Sequence, residues 1–391
     1  MRTAILYGAD AVYIGVLGLS LRSPAAEMTS DDLATGIKDA HAAGVRVYAA
    51  LNTFARQSDL DQAKQILPGL IATGVDALIV SDPGLIRLIR NIAPHMPLHL
   101  STQANTTNAE AVRFWQDQGI RRIILARELT LKEIRQIAAA VPDMELEMFI
   151  HGAMCMAYSG RCYLSAHRNR RSANEGDCSQ PCRWEYLLTE KTRPSDPFIL
   201  EADERFSYLL SSKDLCLIDH LPDVLASGLT SVKIEGRMKS AYYVAVITRA
   251  YRHALNALSA QQKGSRLRLP LSEEIKTVSH RGYTTGFAFA EERINETSPD
   301  VKIIQTHEPA GIVISCDAAQ GQALIEVRNH LRAGDDITLL LPDENIKIDT
   351  TRLYDENGNG LSEAHPKSRL QVTVGKKTPQ GALLRKTAIN A

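Results

Sequence analysis

The first two thirds of the chain repeats one unit: an amphipathic stretch, a glycine, then a short apolar run. The glycines are Gly8, Gly44, Gly74, Gly119 and Gly228. The runs that follow them are AVYIG (11–15), VRVYAAL (45–51), ALIVS (77–81), RIILA (122–126) and SVKIE (231–235). A glycine just past a helix can take the left-handed conformation that ends it. Two further apolar runs, PLHLSTQ (97–103) and LEMFIH (146–151), fall between these. Short apolar strands alternating with helical segments are the pattern of parallel βαβ units. Seven such strands predict an α/β chain with a TIM-like (β/α)8 barrel rather than a two-layer sheet. No Gly-x-Gly-x-x-Gly follows the first strand, so a dinucleotide-binding fold has no support.

In a barrel of this kind the chemistry sits at the carboxyl ends of the strands. That rule gathers Asn52, Ser81, Asp82, Ser101 to Asn105, Arg127, Glu128, His151 and Glu235 to Lys239 at one mouth. Taken singly, each reads first as a capping or structural residue; their common placement is the stronger argument. A long helix follows the last strand, and its tyrosines read as packing residues. The expected domains are a barrel at 1–260 with a cysteine-rich insertion at 151–216, a linker and turn-rich segment at 261–305, and a small all-β domain at 306–391. The last is indicated by alternating runs such as GIVISC, ALIEVR and LQVTV with Gly and Asn-Gly turns between them. Cys316 lies in the first of these runs and reads as a buried hydrophobe. The basic tail from Gly375 reads as loose.

The chain carries 45 basic and 45 acidic residues, so no whole-chain field draws it to nucleic acid or membrane. Any nucleic-acid site is therefore a local patch. No apolar run is long enough for a membrane span. The run Ala11 to Leu21 imitates a signal sequence, but Asp10 interrupts its approach and no cleavage site is clear, so it is assigned to a buried strand. The expected location is cytoplasmic, where thiols stay reduced and a metal site is favoured over disulfides.

Four of the six cysteines, Cys155, Cys162, Cys178 and Cys182, lie between His151 and Trp184, and Cys216 follows. The stretch starts where a strand ends, so it is an insertion at the barrel mouth. The gaps are x6, x15 and x3. Structural zinc sites open with tighter C-x2-4-C pairs, and the ferredoxin runs do not match either. Spacing alone leaves an iron–sulfur cluster, zinc and no metal all open. Between the thiols lies HRNRR (167–171), with Arg161 and Arg183 nearby. It reads either as a solvated loop or as a patch for RNA phosphates or a small anion.

HGAMCMAYSGRCYLS resembles the signature of peptidase family U32, the collagenase-like peptidases. GDCSQPCRWEY, SSKDLC, KIEGRMKSAYYVA and HRGYTTGF resemble further blocks of that family. The resemblance covers nearly the whole chain and is strongest to the tRNA uridine hydroxylation branch. It implies a [4Fe–4S] protein with Cys155, Cys162, Cys178 and Cys216 as ligands to the metal, leaving Cys182 over. It implies oxygen-independent hydroxylation of the wobble uridine to 5-hydroxyuridine, with prephenate required. The implied partners are tRNA, through its anticodon loop, and iron–sulfur assembly proteins. An anticodon loop presents its base unpaired, as entry to a barrel mouth requires. Arg168, Arg170, Arg171 and Lys239 are the candidate substrate contacts. No proton-transfer residue is assigned, although His151, Glu235 and Tyr158 are near in sequence logic. Family members open with a strand and a glycine turn before the segment like TAILYGADAVYIG. This sequence begins inside the following helix, so the barrel is expected to lack its first strand.

Three other readings remain from the sequence. A ubiquinone precursor or ribosomal RNA could be the hydroxylated substrate. A peptidase, as the family name suggests, has neither His-Glu-x-x-His nor Gly-x-Ser-x-Gly to support it. A scaffold could use the cluster only to hold the insertion together.

Overall fold

The computed structural model describes residues 1–16, 19–20, 30–155, 157–175, 178–184, 212–261, 271–289 and 303–388. Of the expected linker, residues 262–270 and 290–302 lie outside the described residues, as does 185–211 of the insertion. Contacts divide the chain into two units, one of residues 10–238 with 281–302, the other of 1–9, 239–280 and 303–391. This grouping and the sequence-based boundary at 260 differ in where the helix Ala241–Gln261 falls.

The first unit is built on β1 (Ala11–Gly15), β2 (Arg46–Leu51), β3 (Ala77–Val80), β4 (Leu98–Leu100), β5 (Arg122–Ile124), β6 (Glu145–Ala153), β7 (Asp214–Cys216), β8 (Ser231–Ile234) and β9 (Tyr283–Thr284). Strands β1 to β6 pair in order and in parallel, and β8 continues the series on β6. These are the seven parallel strands expected from the sequence. Among the described residues β1 and β8 share no ladder. Their side chains still meet, since Lys233 Nζ lies 4.3 Å from the centroid of the Tyr13 ring. Beyond its parallel part, β6 runs on and pairs antiparallel with β7, which pairs in turn with β9.

Local sequence explains the helix boundaries. Asp82 accepts a hydrogen bond from Leu85 N at 2.9 Å, with Pro83 in the first turn, and starts the helix Pro83–Ile92. Thr130 and Glu133 form a reciprocal capping box on Leu131–Ala140. Gly44, Gly74, Gly119 and Gly228 all take positive φ. The strands β3, β4 and β5 are buried along their whole length, as parallel strands covered on both faces must be.

Charge is also buried within this unit. Glu147 Oε1 accepts from Lys233 Nζ at 3.0 Å, and its Oε2 accepts from Arg122 Nη1 at 3.3 Å. Arg122 Nη2 also donates to Glu145 Oε2 at 2.7 Å. Burial alone would raise the Glu147 carboxyl, but Lys233 and Arg122 outweigh it and hold the group below its ordinary range. His99 packs edge-on to Tyr48 at 4.7 Å between ring centroids. Burial, reinforced by Arg122, lowers its imidazole to about 4.

The second unit is mainly an antiparallel sheet. Its strands are β10 (His307–Asp317), β11 (Gln322–Val327), β12 (Leu331–Arg332), β13 (Ile337–Leu340), β14 (Asn345–Ile348), β15 (Leu353–Asp355), β16 (Gly360–Leu361), β17 (Glu363–Ala364), β18 (Arg369–Thr373) and β19 (Leu383–Thr387). Eight of them form one sheet in the order β14-β13-β19-β10-β11-β18-β15-β16, and β12 pairs with β17 separately. The basic tail expected to be loose is instead strand β19, flanked by β13 and β10. Its charges are accommodated by partners: Arg385 Nη1 reaches Glu274 Oε1 at 2.9 Å, and Lys386 Nζ donates to His330 O at 2.7 Å. Cys316 is half-buried beside the core and accepts from Thr378 N at 3.4 Å.

Candidate active site

A cleft of about 60 Å3 opens at the carboxyl ends of the parallel strands. Its apolar wall comes from Tyr13, Ile79, Ile124 and Phe149. Asn52 and Ser101, each the first residue after its strand, bring polar groups to the rim together with Gln103. Asn52 Nδ2 donates to Ser101 Oγ at 3.1 Å and Gln103 Oε1 at 3.3 Å, which fixes the amide. Nearby, Asn105 has φ +55°, and neither atom of its buried amide has a hydrogen-bond partner among the described residues.

Three cations face the same space: Arg127, Lys233 and Arg237. Arg127 stacks on Phe149, its Cζ 4.2 Å from the ring centroid, and Nη1 donates to Ala153 O at 3.4 Å. Arg237 Nη1 donates to Ser20 Oγ at 2.6 Å. It runs so close to Gly15 that a β-carbon there would lie 2.8 Å from Nη1. Glu235 is the one carboxylate in the lining among the described residues, and its backbone N donates to His151 O at 2.9 Å. Lys233 is already paired with Glu147, so it is the two guanidinium groups of Arg127 and Arg237 against one carboxylate that favour an anionic ligand.

The thiol of Cys155 also lines this cleft. The insertion that follows is tied to neighbouring strand ends. Ser159 donates twice to the Glu128 carboxylate, from N to Oε1 and from Oγ to Oε2, each at 2.6 Å. Arg161 Nη2 donates to Gln103 O at 3.2 Å, and Phe54 N donates to Asn174 O at 3.3 Å. Within the insertion, Ser165 and Ser179 are joined at 3.0 Å, which brings the neighbourhoods of Cys162 and Cys178 together. Each of those sulfurs accepts a backbone N–H from two residues on, Leu164 N to Cys162 and Gln180 N to Cys178, both at 3.4 Å. Cys216 enters from β7, paired in register with His151. The His151 and Tyr283 rings are 5.4 Å apart. Burial, with Cys216 and Asp214 adding to it, pushes the Tyr283 phenol well above its ordinary value.

Cys155, Cys162, Cys178 and Cys216 are the thiols from which a metal or cluster could be held. No disulfide joins any of the cysteines. No three of them bring their sulfurs within 4.8 Å of one another among the described residues. N–H groups aimed at thiolate sulfurs are among the contacts that tune a metal-bound thiolate.

The other sequence candidates fall elsewhere. Arg168 and Arg170 are exposed at the end of the short helix Leu164–Asn169, and Arg171 follows them; none lines the cleft. Lys239 belongs to the other unit, where its Nζ lies 3.5 Å from Ser279 O and 4.8 Å from the Tyr243 ring centroid. Lys233, Tyr13 and Phe149 were missed by a search confined to strand ends. The signal for Lys233 was its charge within the apolar run SVKIE.

Residues 1–298 match peptidase family U32, and residues 305–385 match the U32 C-terminal domain. The chain belongs to peptidase family U32. It is 36% identical to tRNA hydroxylation protein P1 of Bacillus subtilis over 393 residues, covering 99% of this chain and 92% of that protein. It is also 36% identical to tRNA hydroxylation protein P of Escherichia coli, covering 92% and 88%. A more distant likeness in length is the 23S rRNA 5-hydroxycytidine C2501 synthase of Escherichia coli. That enzyme is 37% identical over 88% of this U32 chain but only 51% of its own length.

Proposed function

We propose that this U32 chain is an RNA-modifying hydroxylase that converts the wobble uridine of tRNA to 5-hydroxyuridine. The observation that carries the reading is the near full-length similarity to proteins named for tRNA hydroxylation. A cationic cleft with a thiol in its lining, at the strand ends where such barrels place their chemistry, supports it.

In this reading Cys155, Cys162, Cys178 and Cys216 hold a [4Fe–4S] cluster, which supplies a redox or Lewis-acid centre beside the cleft. Arg127, Lys233 and Arg237 take the carboxylates of prephenate as co-substrate. Phe149 and Tyr13 offer faces for an unpaired base, and the Asn52 and Gln103 amides offer hydrogen bonds to its edge. Arg168, Arg170 and Arg171, on the exposed surface of the insertion, contact RNA phosphates. Replacing the uracil C5–H bond by C5–OH adds one oxygen atom and withdraws two electrons, so a co-substrate must donate the oxygen and accept the electrons.

Purified chain, prepared without oxygen, is incubated with unmodified tRNA and prephenate, and the nucleosides are analysed by mass spectrometry. New 5-hydroxyuridine that requires prephenate is the expected result. Unchanged tRNA with an iron-loaded protein overturns the reading. The ribosomal RNA relative favours a second reading, hydroxylation of a cytidine in 23S rRNA. Parallel incubation with rRNA separates the two.

A further inference from the structure

His330, Glu363 and His365 form a compact donor group in the C-terminal unit. His330 Nε2 lies 2.9 Å from Glu363 Oε2, and His365 Nε2 lies 3.8 Å from Glu363 Oε1. The three ligand atoms fall within 4.8 Å of one another. The two imidazoles stack, with centroids 5.0 Å apart and planes 17° from parallel. We propose that these three side chains bind a divalent transition-metal ion of the zinc type, separate from the thiols of the insertion.

The strand register produces the grouping. Leu331 pairs with Ala364 and Arg332 with Glu363 across β12 and β17, so His330 and His365 flank one registered pair. Both histidine backbones are pinned. His330 N donates to Asn329 Oδ1 at 2.9 Å, while Lys386 Nζ donates to the His330 carbonyl at 2.7 Å. The His365 carbonyl accepts from Ser368 Oγ at 2.6 Å and Ser368 N at 3.1 Å. Only side-chain rotation is needed to admit an ion.

Two imidazoles and a carboxylate match the donor set of zinc and related first-row ions, which leaves open coordination positions for water. Magnesium and calcium prefer all-oxygen shells and are disfavoured. A hydrogen bond from His330 to Glu363 accounts for one imidazole only. The second, stacked parallel to it on the same carboxylate, is what a shared ion explains. The bound ion cross-links two strands of only two residues each, across the intervening segment 331–364. Such short strands gain from a clip that closes a long loop.

The test is equilibrium dialysis of the full chain against Zn2+ at pH 7.5, with metal analysis, for the parent and for His365→Ala and Glu363→Gln. Thiol-bound zinc is common to all three and cancels. The parent is expected to retain one more equivalent per chain than either variant. Zn2+ is also expected to raise the thermal midpoint of the C-terminal unit in the parent alone. Circular dichroism establishes that the variants fold; Glu363→Gln keeps shape and volume, so it decides the case if His365→Ala does not fold. Equal zinc content in the parent and the folded variants overturns the proposal, as does an equal thermal shift.

Discussion

Cys216 stands directly opposite His151 in the antiparallel ladder between β6 and β7. Cys155 lies just beyond the end of β6 and lines the cleft. Strand pairing therefore brings a thiol from far along the chain to the same strand end that launches the insertion. Cys182 sits in the one-turn 3-10 helix Pro181–Arg183, four residues past Cys178. Separate replacement of Cys155, Cys162, Cys178 and Cys216 by serine is expected to abolish bound iron and sulfide in protein purified without oxygen. Cys182→Ser is expected to keep both. Iron and sulfide analysis with visible absorbance checks this, and iron lost from Cys182→Ser but kept in Cys216→Ser reverses the assignment.

Gly152 lies in the last part of β6, just before the insertion. Its φ is +116°, and a β-carbon there would lie 2.7 Å from the Glu235 carbonyl oxygen. Neither backbone can yield easily, because Glu235 N is bonded to His151 O. Gly152→Ala combines positive-φ strain with overpacking, and a loss of about 2–4 kcal/mol is expected. Denaturant unfolding measures it. A loss below about 0.5 kcal/mol would show that the close approach is relaxed in solution.

The order of the parallel strands was legible because each apolar run is short and bounded by a glycine or polar residues. Among the described residues β1 and β8 share no ladder, in keeping with the count of seven parallel strands. Other features were hidden because they depend on contacts distant in sequence. Arg385 and Lys386 looked like part of a basic tail until Glu274 and the His330 carbonyl appeared beside them. Lys233 was passed over because an interior ion pair needs Glu147, on a different strand, to make sense of it. The strand-end rule found Asn52, Ser101 and Arg127, but Asp82 from the same reading serves as a helix cap.

Lys233 serves the fold and the cleft together. Removing it leaves Glu147 buried with Arg122 as its remaining charged partner. Breaking one arm of a buried pair typically costs about 3–5 kcal/mol, and the Arg122 contact moderates this. Lys233→Met is therefore expected to destabilise the barrel by roughly 2–4 kcal/mol. Adding Glu147→Gln should recover part of that loss by removing the uncompensated charge. Urea unfolding of the two single variants and the double variant closes the cycle. Additive losses would mean that the pair contributes no coupling.

The buried His99 ring sets an acid limit on stability. Burial, with Arg122 beside it, lowers its folded-state value to about 4, against 6.5 for an ordinary histidine. Between those values the unfolded chain binds a proton that the folded chain refuses. Stability is thus fully present above pH 6.5 and falls as the pH drops toward 4. From pH 7.5 to 5.0 the linked loss is about 2 kcal/mol. His307, also lowered first by burial and then by Arg385, contributes with the same sign. Glu145 and Glu147 are carboxyls held low, so their contribution is lost only below about pH 4.5 and lies outside most of this window. His99→Phe keeps a ring against Tyr48 and removes the titration. Urea midpoints at the two pH values should separate for the parent and draw together for the variant. Equal separation in both proteins would mean that His99 takes up its proton in the folded state as readily as in the unfolded chain.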